Sequence, residues 1–271
     1  MRAAITVWNV PAPSLEKRLD EAATLGFCSV ALTHALAPTA ADHTPEQLGR
    51  WLEARHLEAL VHGDIGDARR DDDAQAARAH IEAVARFQQE TGRVRLMTFD
   101  PGFYRRPNNT TAYHADATAQ ILEFALERLA PLGVRVGLEN WAINAHPDDF
   151  TRVAKRLSDP ALGVLLDLGH LHIAVHTRNV APSVEAFVAA LTLPIWEIHV
   201  HDNDGQRDQH RPLGRGTLDI DAMAEALKAH GFDGYVTVEI IAMPWTRAEY
   251  AEDVQRTRDR ALRALNGNGS G

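Results

Sequence analysis

The chain has 271 residues, of which 45% are hydrophobic and 24% charged, and its formal net charge is −9. That length suits one α/β barrel of roughly 250 residues, and the acidic balance argues against a general nucleic-acid binder, whose surface is basic. Cys28 is the only cysteine, so neither an internal disulfide nor a thiolate metal cluster can form. The opening MRAAITVWNVPAPS reads as a first strand and not as a signal peptide. No segment approaches the ~18 apolar residues of a membrane span, and a cytoplasmic protein is expected.

Strand-like and helix-like segments alternate along the chain. AAITVW (3–8) is a strand, followed by a helix opening at Ser14 and ending near Gly26. CSVAL (28–32) is the second strand, and a helix from Thr44 to Arg55 carries Pro45 at its first position. LEALVH (57–62) is the third strand. A long amphipathic helix over 73–91 is closed by Gly92, and the RRDDD run before it places acids at the positive end of the helix dipole. RVRLMTF (93–99) is the fourth strand, with a helix predicted over 111–131.

The second half repeats the plan. VRVGLE (134–139) is the fifth strand, and its helix opens at Pro147–Asp148 and ends near Ser158. LGVLLD (162–167) is the sixth strand, and a helix near 182–191 leads to the seventh, PIWEIHV. A helix over 219–230 ends at Gly231, YVTVE is the eighth strand, and the last helix runs from Arg247 to Leu265. Eight such units predict a single (β/α)8 TIM barrel over 1–265 with a disordered tail at 266–271. An open doubly wound sheet usually carries a glycine-rich phosphate loop after its first strand; here that turn is WNVPAP.

Six of these strands end in a residue that can bind metal: His62, Asp100, Glu139, Asp167, His199 and Glu239. A charge at the end of an apolar run is costly if buried and unpaired. Taken singly, such a residue is more often a helix cap or a surface group. In a barrel, however, all six point at one mouth, because strand ends and the loops after them form the active-site face. Convergent carboxylates and imidazoles most naturally hold a divalent metal.

GLEN (137–140), LGVLLDLGH (162–170), IHVHD (198–202), HRPLGRG (210–216) and TVEI (237–240) carry a family resemblance. Together, in this order and spacing, they resemble the xylose-isomerase-like barrel superfamily, best over residues 120–240. That group contains sugar and sugar-phosphate isomerases and epimerases, and nucleases of the endonuclease IV type.

In the epimerase branch the resemblance implies one divalent metal on Glu139, Asp167, His199 and Glu239, with Glu139 and Glu239 also acting as acid and base. Proton removal next to a carbonyl makes an enediolate, which a metal stabilises while a carboxylate moves the proton. His170 would contact substrate oxygens, and Arg207 stands where a substrate-binding arginine is common. The nuclease branch implies further metals and draws on His62, His170, Asp208 and His210; there Asp100 replaces a histidine. The resemblance favours His199 as the ligand, and leaves His201 as a donor behind a ligand, a residue lining the mouth, or a ligand itself.

Arg105, Arg106, Arg207, Arg211 and Arg215 fall in loops of the same face and read either as phosphate forks or as solvated side chains. Trp8, Trp141 and Trp245 line a sugar pocket or cap the core. The expected activity is metal-dependent isomerisation or epimerisation of a small sugar, sugar phosphate or related polyol. The cofactor is Mn2+, Mg2+, Co2+ or Zn2+, and a homo-oligomer is compatible with the sequence. The alternative is a multi-zinc phosphodiesterase or abasic-site endonuclease.

Overall fold

The computed structural model describes residues 1–33, 36, 43–141, 146–178, 183–241 and 246–267. Eight parallel strands close into a barrel: β1 (Arg2–Thr6), β2 (Ser29–Thr33), β3 (Glu58–Asp64), β4 (Val94–Asp100), β7 (Arg135–Glu139), β8 (Leu162–Asp167), β9 (Ile195–Val200) and β10 (Tyr235–Val238), the last pairing back to β1. The single eight-stranded barrel expected from the strand count is the observed fold. Two short strands, β5 (Phe103–Arg105) and β6 (Thr111–Tyr113), form a separate antiparallel hairpin after β4.

Most helix ends carry the predicted signals. Ser14 caps α1 (Leu15–Thr24) by accepting from Lys17 N. Thr44 and Gln47 form a reciprocal capping box on α2 (Pro45–Ala54), with Pro45 in the first turn. The acids of the RRDDD run fill the first turn of α3 (Asp71–Thr91), and left-handed Gly92 stops it. Helix α5 (Pro147–Leu157) ends at left-handed Ser158. Asp219 and Gly231 bound α8 (Ile220–His230), and α9 (Arg247–Asn266) opens on a second capping box.

Two segments differ from expectation. Residues 111–113 belong to β6, so the helix predicted from 111 begins later, as α4 (Ala115–Leu129). The intervening PNN turn, with Asn109 at φ 61, returns the chain antiparallel, and the Thr110–Thr111 pair favours strand. Beyond β8 an additional helix, α6 (Leu168–Arg178), precedes the predicted one, α7 (Val184–Ala190). Helix α6 leaves the strand without a turn. Asp167 Oδ1 accepts from His170 N at 2.6 Å, so a strand-end carboxylate does the work of an N-cap. The expected tail falls mostly in 268–271, outside the described residues.

The main core lies between strands and helices, with Leu19, Leu48, Val84, Leu122, Phe150, Phe187 and Val254 packing on outward-facing strand residues. Inside the barrel a smaller cluster of Ala4, Ala31, Leu60, Leu96 and Tyr235 fills the lower part. Successive inward positions two residues apart then turn polar: Thr98 above Leu96, Thr6 above Ala4, and Thr237 above Tyr235. One further step up each strand reaches the candidate site residues.

Candidate metal centre

The mouth of the barrel gathers the strand-end residues into overlapping groups. Ligand atoms of Asp167, His199 and Glu239 lie within 4.8 Å of one another, as do those of Glu139, Asp167 and His170, and those of His62, Asp100 and Glu139. His170, Asp208 and His210 form another such group. Glu139, Asp167, His199 and Glu239 are all buried, and Asp167 is fully so.

The best-defined convergence is at His199. Its Nδ1 lies 2.8 Å from Glu239 Oε2 and 3.7 Å from Asp167 Oδ2, yet among the described residues neither ring nitrogen has a hydrogen bond of good geometry. A buried imidazole ordinarily satisfies its nitrogens. Two oxygens and a nitrogen crowded together off the hydrogen-bonding directions are what ligands around a shared cation present. Nitrogen and carboxylate donors fit Mn2+, Mg2+, Co2+ or Zn2+, so the residues fit the expected group.

Backbone locks hold these ligands. Asn140 of GLEN donates through Nδ2 to Asp167 O at 3.0 Å and accepts from Asp167 N at 2.6 Å, tying the end of β7 to the end of β8. His201 Nε2 reaches both Asp167 oxygens, at 3.1 and 3.0 Å, and His201 also forms a group with His210 and Glu239 whose ligand atoms lie within 4.8 Å of one another. The loop after β9 is pinned by Asp202, whose carboxylate accepts from the backbone N–H groups of Asn203, Gly214, Gly216 and Leu218. That loop carries Asp208 and His210 to the mouth. Asp208 Oδ2 lies 3.0 Å from His210 Nε2 and 3.3 Å from His170 Nε2, and His210 stacks on His201 at 4.0 Å.

On the opposite side, His62 Nε2 sits 3.4 Å from Glu139 Oε2 and 3.6 Å from Asp100 Oδ2, while its Nδ1 contacts Thr98 Oγ1 at 3.0 Å. Trp8 lies beside His62, with ring centres 6.4 Å apart. Trp141, 43% exposed, meets His170 edge-on at 5.7 Å. Arg207 does not join the cluster: its side chain is exposed and its guanidinium pairs with Asp204 at 3.1 Å. Trp245 lies outside the described residues.

The two glutamates differ electrostatically. Burial raises the Glu139 carboxyl above its ordinary value, and His170 and His62 only partly offset this. Burial also acts on Glu239, but His199 and His210 outweigh it and lower that carboxyl to about 2. Asp167 is held well below the usual range: burial opposes ionisation, and His170, His201 and His199 overcome it. His62 and His210 are each raised to about 9; burial disfavours their charge, but Asp100 and Asp208 respectively outweigh it.

The model of one protein family, described as xylose isomerase-like TIM barrel, matches residues 19–260. The chain belongs to the xylose isomerase-like TIM barrel family. An uncharacterised protein of Methanocaldococcus jannaschii is 25% identical over 221 residues, spanning 76% of this chain and 71% of that protein. Among solved structures, an IolI protein with a bound zinc atom superposes at a TM-score of 0.75, with 16% identity and all of both chains covered. A D-psicose 3-epimerase from Clostridium cellulolyticum H10, solved with D-tagatose, also gives 0.75, with 14% identity over 98% of this chain and 99% of that one. At these identities the structural likeness establishes the shared fold of the family.

Several buried polar residues around the site carry no clear signal in the sequence, Asn140 and Glu197 among them. The lock that Asn140 of GLEN places on Asp167 depends on the pairing of β7 with β8, which residue spacing does not show. Glu197, two residues before His199, shares its inward face; the period-2 spacing was the available signal.

Proposed function

We propose that this protein is a divalent-metal-dependent isomerase or epimerase of a small sugar, sugar phosphate or related polyol. The observation that carries the reading is the meeting of Asp167, His199 and Glu239, with both His199 nitrogens buried and without hydrogen bonds. Glu139 would complete the ligand set from the neighbouring strand. A metal held there supplies Lewis acidity that polarises a substrate carbonyl.

The chain's own groups supply the rest. Glu239, beside His199 at the mouth, takes a proton from the carbon beside the carbonyl. Glu139, whose carboxylate faces His170 and His62 across the mouth, returns a proton on the other side. His170, between Glu139 and Asp208, stands beside the proposed substrate site, and the exposed Trp141 next to it gives a sugar ring an apolar wall. Sugar 3-epimerases on the same fold accord with this reading.

One arrangement favours a second reading. The His170–Asp208–His210 group is a ready ligand set outside the first one, and His62–Asp100–Glu139 is another. Filled with zinc, these groups would suit activation of water against a phosphodiester.

Incubation of the metal-loaded protein with a panel of ketoses and ketose phosphates in D2O, followed by NMR, separates the two readings. Deuterium entering a carbon-bound position beside the carbonyl, lost in Glu239→Gln, is the expected result. Phosphodiester cleavage without any carbon–deuterium exchange would overturn the isomerase reading in favour of the hydrolase.

A further inference from the structure

Glu197 is a carboxylate inside the barrel, 1% exposed, on the inward face of β9 directly below His199. A buried carboxylate costs several kcal/mol unless it is paired and hydrogen-bonded, on the order set by charge desolvation. Its partners are two. Thr237 of β10, the register partner of His199, donates its hydroxyl to Glu197 Oε1. The other partner is the His199 ring, whose Nε2 lies 3.6 Å from that same oxygen.

The His199 ring thus has two unlike ends. Nδ1 faces Glu239 and Asp167, and Nε2 faces Glu197. Among the described residues neither nitrogen has a hydrogen bond, and the residue is 2% exposed, so solvent does not satisfy them either. One assignment serves both ends: a cation at Nδ1, and the ring's single proton on Nε2 directed at Glu197. A histidine that binds metal through one nitrogen commonly gives its other N–H to a carboxylate, which fixes tautomer and ring orientation and makes the ligand more basic.

We infer that Glu197, anchored by the Thr237 hydroxyl, is a positioning residue that holds His199 as an Nδ1 metal ligand. The inference rests on the metal-centre reading given above. It places the chain Thr237–Glu197–His199 beneath the reacting groups, where Glu197 touches no substrate. Glu197 therefore governs how tightly and through which nitrogen the metal is held.

The test is metal affinity, by chelator competition with Zn2+, for wild type, Glu197→Gln, Glu197→Ala and Thr237→Val, together with the ring 15N spectrum of the zinc-loaded protein. Glu197→Ala is expected to weaken zinc binding about 10–100-fold and to abolish the uniform Nε2–H tautomer of His199. Glu197→Gln, which keeps shape and one acceptor oxygen, should fall between; it also stands in if the alanine variant fails to fold. Circular dichroism and the melting of the metal-free forms show that the fold is intact. Wild-type zinc binding with unchanged affinity and unchanged His199 tautomer in Glu197→Ala and Glu197→Gln would overturn the inference and leave the metal-centre reading standing. Failure of the wild type to bind zinc would overturn both.

Discussion

The two ends of the barrel handle buried charge in opposite ways. At the end where the strands begin, Glu58 is matched by Arg2 and Arg95, each at 2.8 Å, and by the Tyr235 hydroxyl at 3.2 Å. Each of its oxygens has a cationic partner, and the group closes the bottom of the inner core. At the end where the strands finish, carboxylates meet histidines and one another, and His199 is left without hydrogen bonds. Complementary pairs at one end give stability. At the other end carboxylates and histidines converge on the face where such barrels place their active sites, as the proposed metal centre requires.

The sharpest way to break this contrast is at the mouth. Glu139→Gln and Glu239→Gln should each lower kcat by about 10²–10⁴-fold, with the fold intact by circular dichroism. Near-wild-type turnover of a verified substrate in either variant would remove that residue from the acid–base pair. Asp202→Ala comes next. It removes one carboxylate serving four backbone donors, so a loss of about 3 kcal/mol in urea unfolding is expected. Asp208 and His210 should then be released, and zinc bound beyond the first ion should fall. A change below about 0.5 kcal/mol would show that the loop is held otherwise.

Metal removal probes the same end with a smaller effect. Dialysis against a chelator should lower the melting temperature, because a ligand of the native state alone stabilises it by about 2.7 kcal/mol at a hundredfold excess over Kd. Identical melting with and without metal would argue against a site formed only in the folded chain.

The smallest effect belongs to the other end. Glu58→Gln should cost about 1 kcal/mol or less, since its arginine partners are half exposed, and should leave activity unchanged. Burial opposes the ionisation of Glu58, but Arg95 and Arg2 outweigh it and lower its carboxyl. A depressed carboxylate contributes stability above its unfolded value, about 4.3, and loses it as pH falls through the folded value. The wild type's stability advantage over Glu58→Gln should therefore shrink below about pH 4. An advantage that persists unchanged at lower pH would show that the Arg2–Glu58–Arg95 pairing is not its source.

Much of the functional end was legible in the sequence because strand runs are apolar and their inward ends are not. Glu139, Asp167, His199 and Glu239 each interrupt a hydrophobic run, and barrel closure turns that pattern into proximity. Helix α6 was illegible for a related reason. Its opening cap is Asp167 itself, already read as a strand end, and Gly169 in the first turn reads as a loop residue before apolar Leu171 and Ala174. The β5–β6 hairpin was hidden because its strands are three residues each, too short for a periodicity to register. Arg207 looked like a substrate contact by position, but Asp204, three residues earlier, offers it a local partner. Such choices depend on loop conformation, which residue spacing alone does not determine.

The central claim is that Asp167, His199, Glu239 and Glu139 share a divalent cation. The most direct measurement is anomalous diffraction from crystals of the protein reconstituted with Mn2+ or Zn2+, with elemental analysis of the same sample and of His199→Ala. The account predicts an anomalous peak among Asp167, His199 Nδ1 and Glu239, lost in the variant. Reconstituted crystals with no peak there, and no metal retained by the wild type after gel filtration, would contradict it.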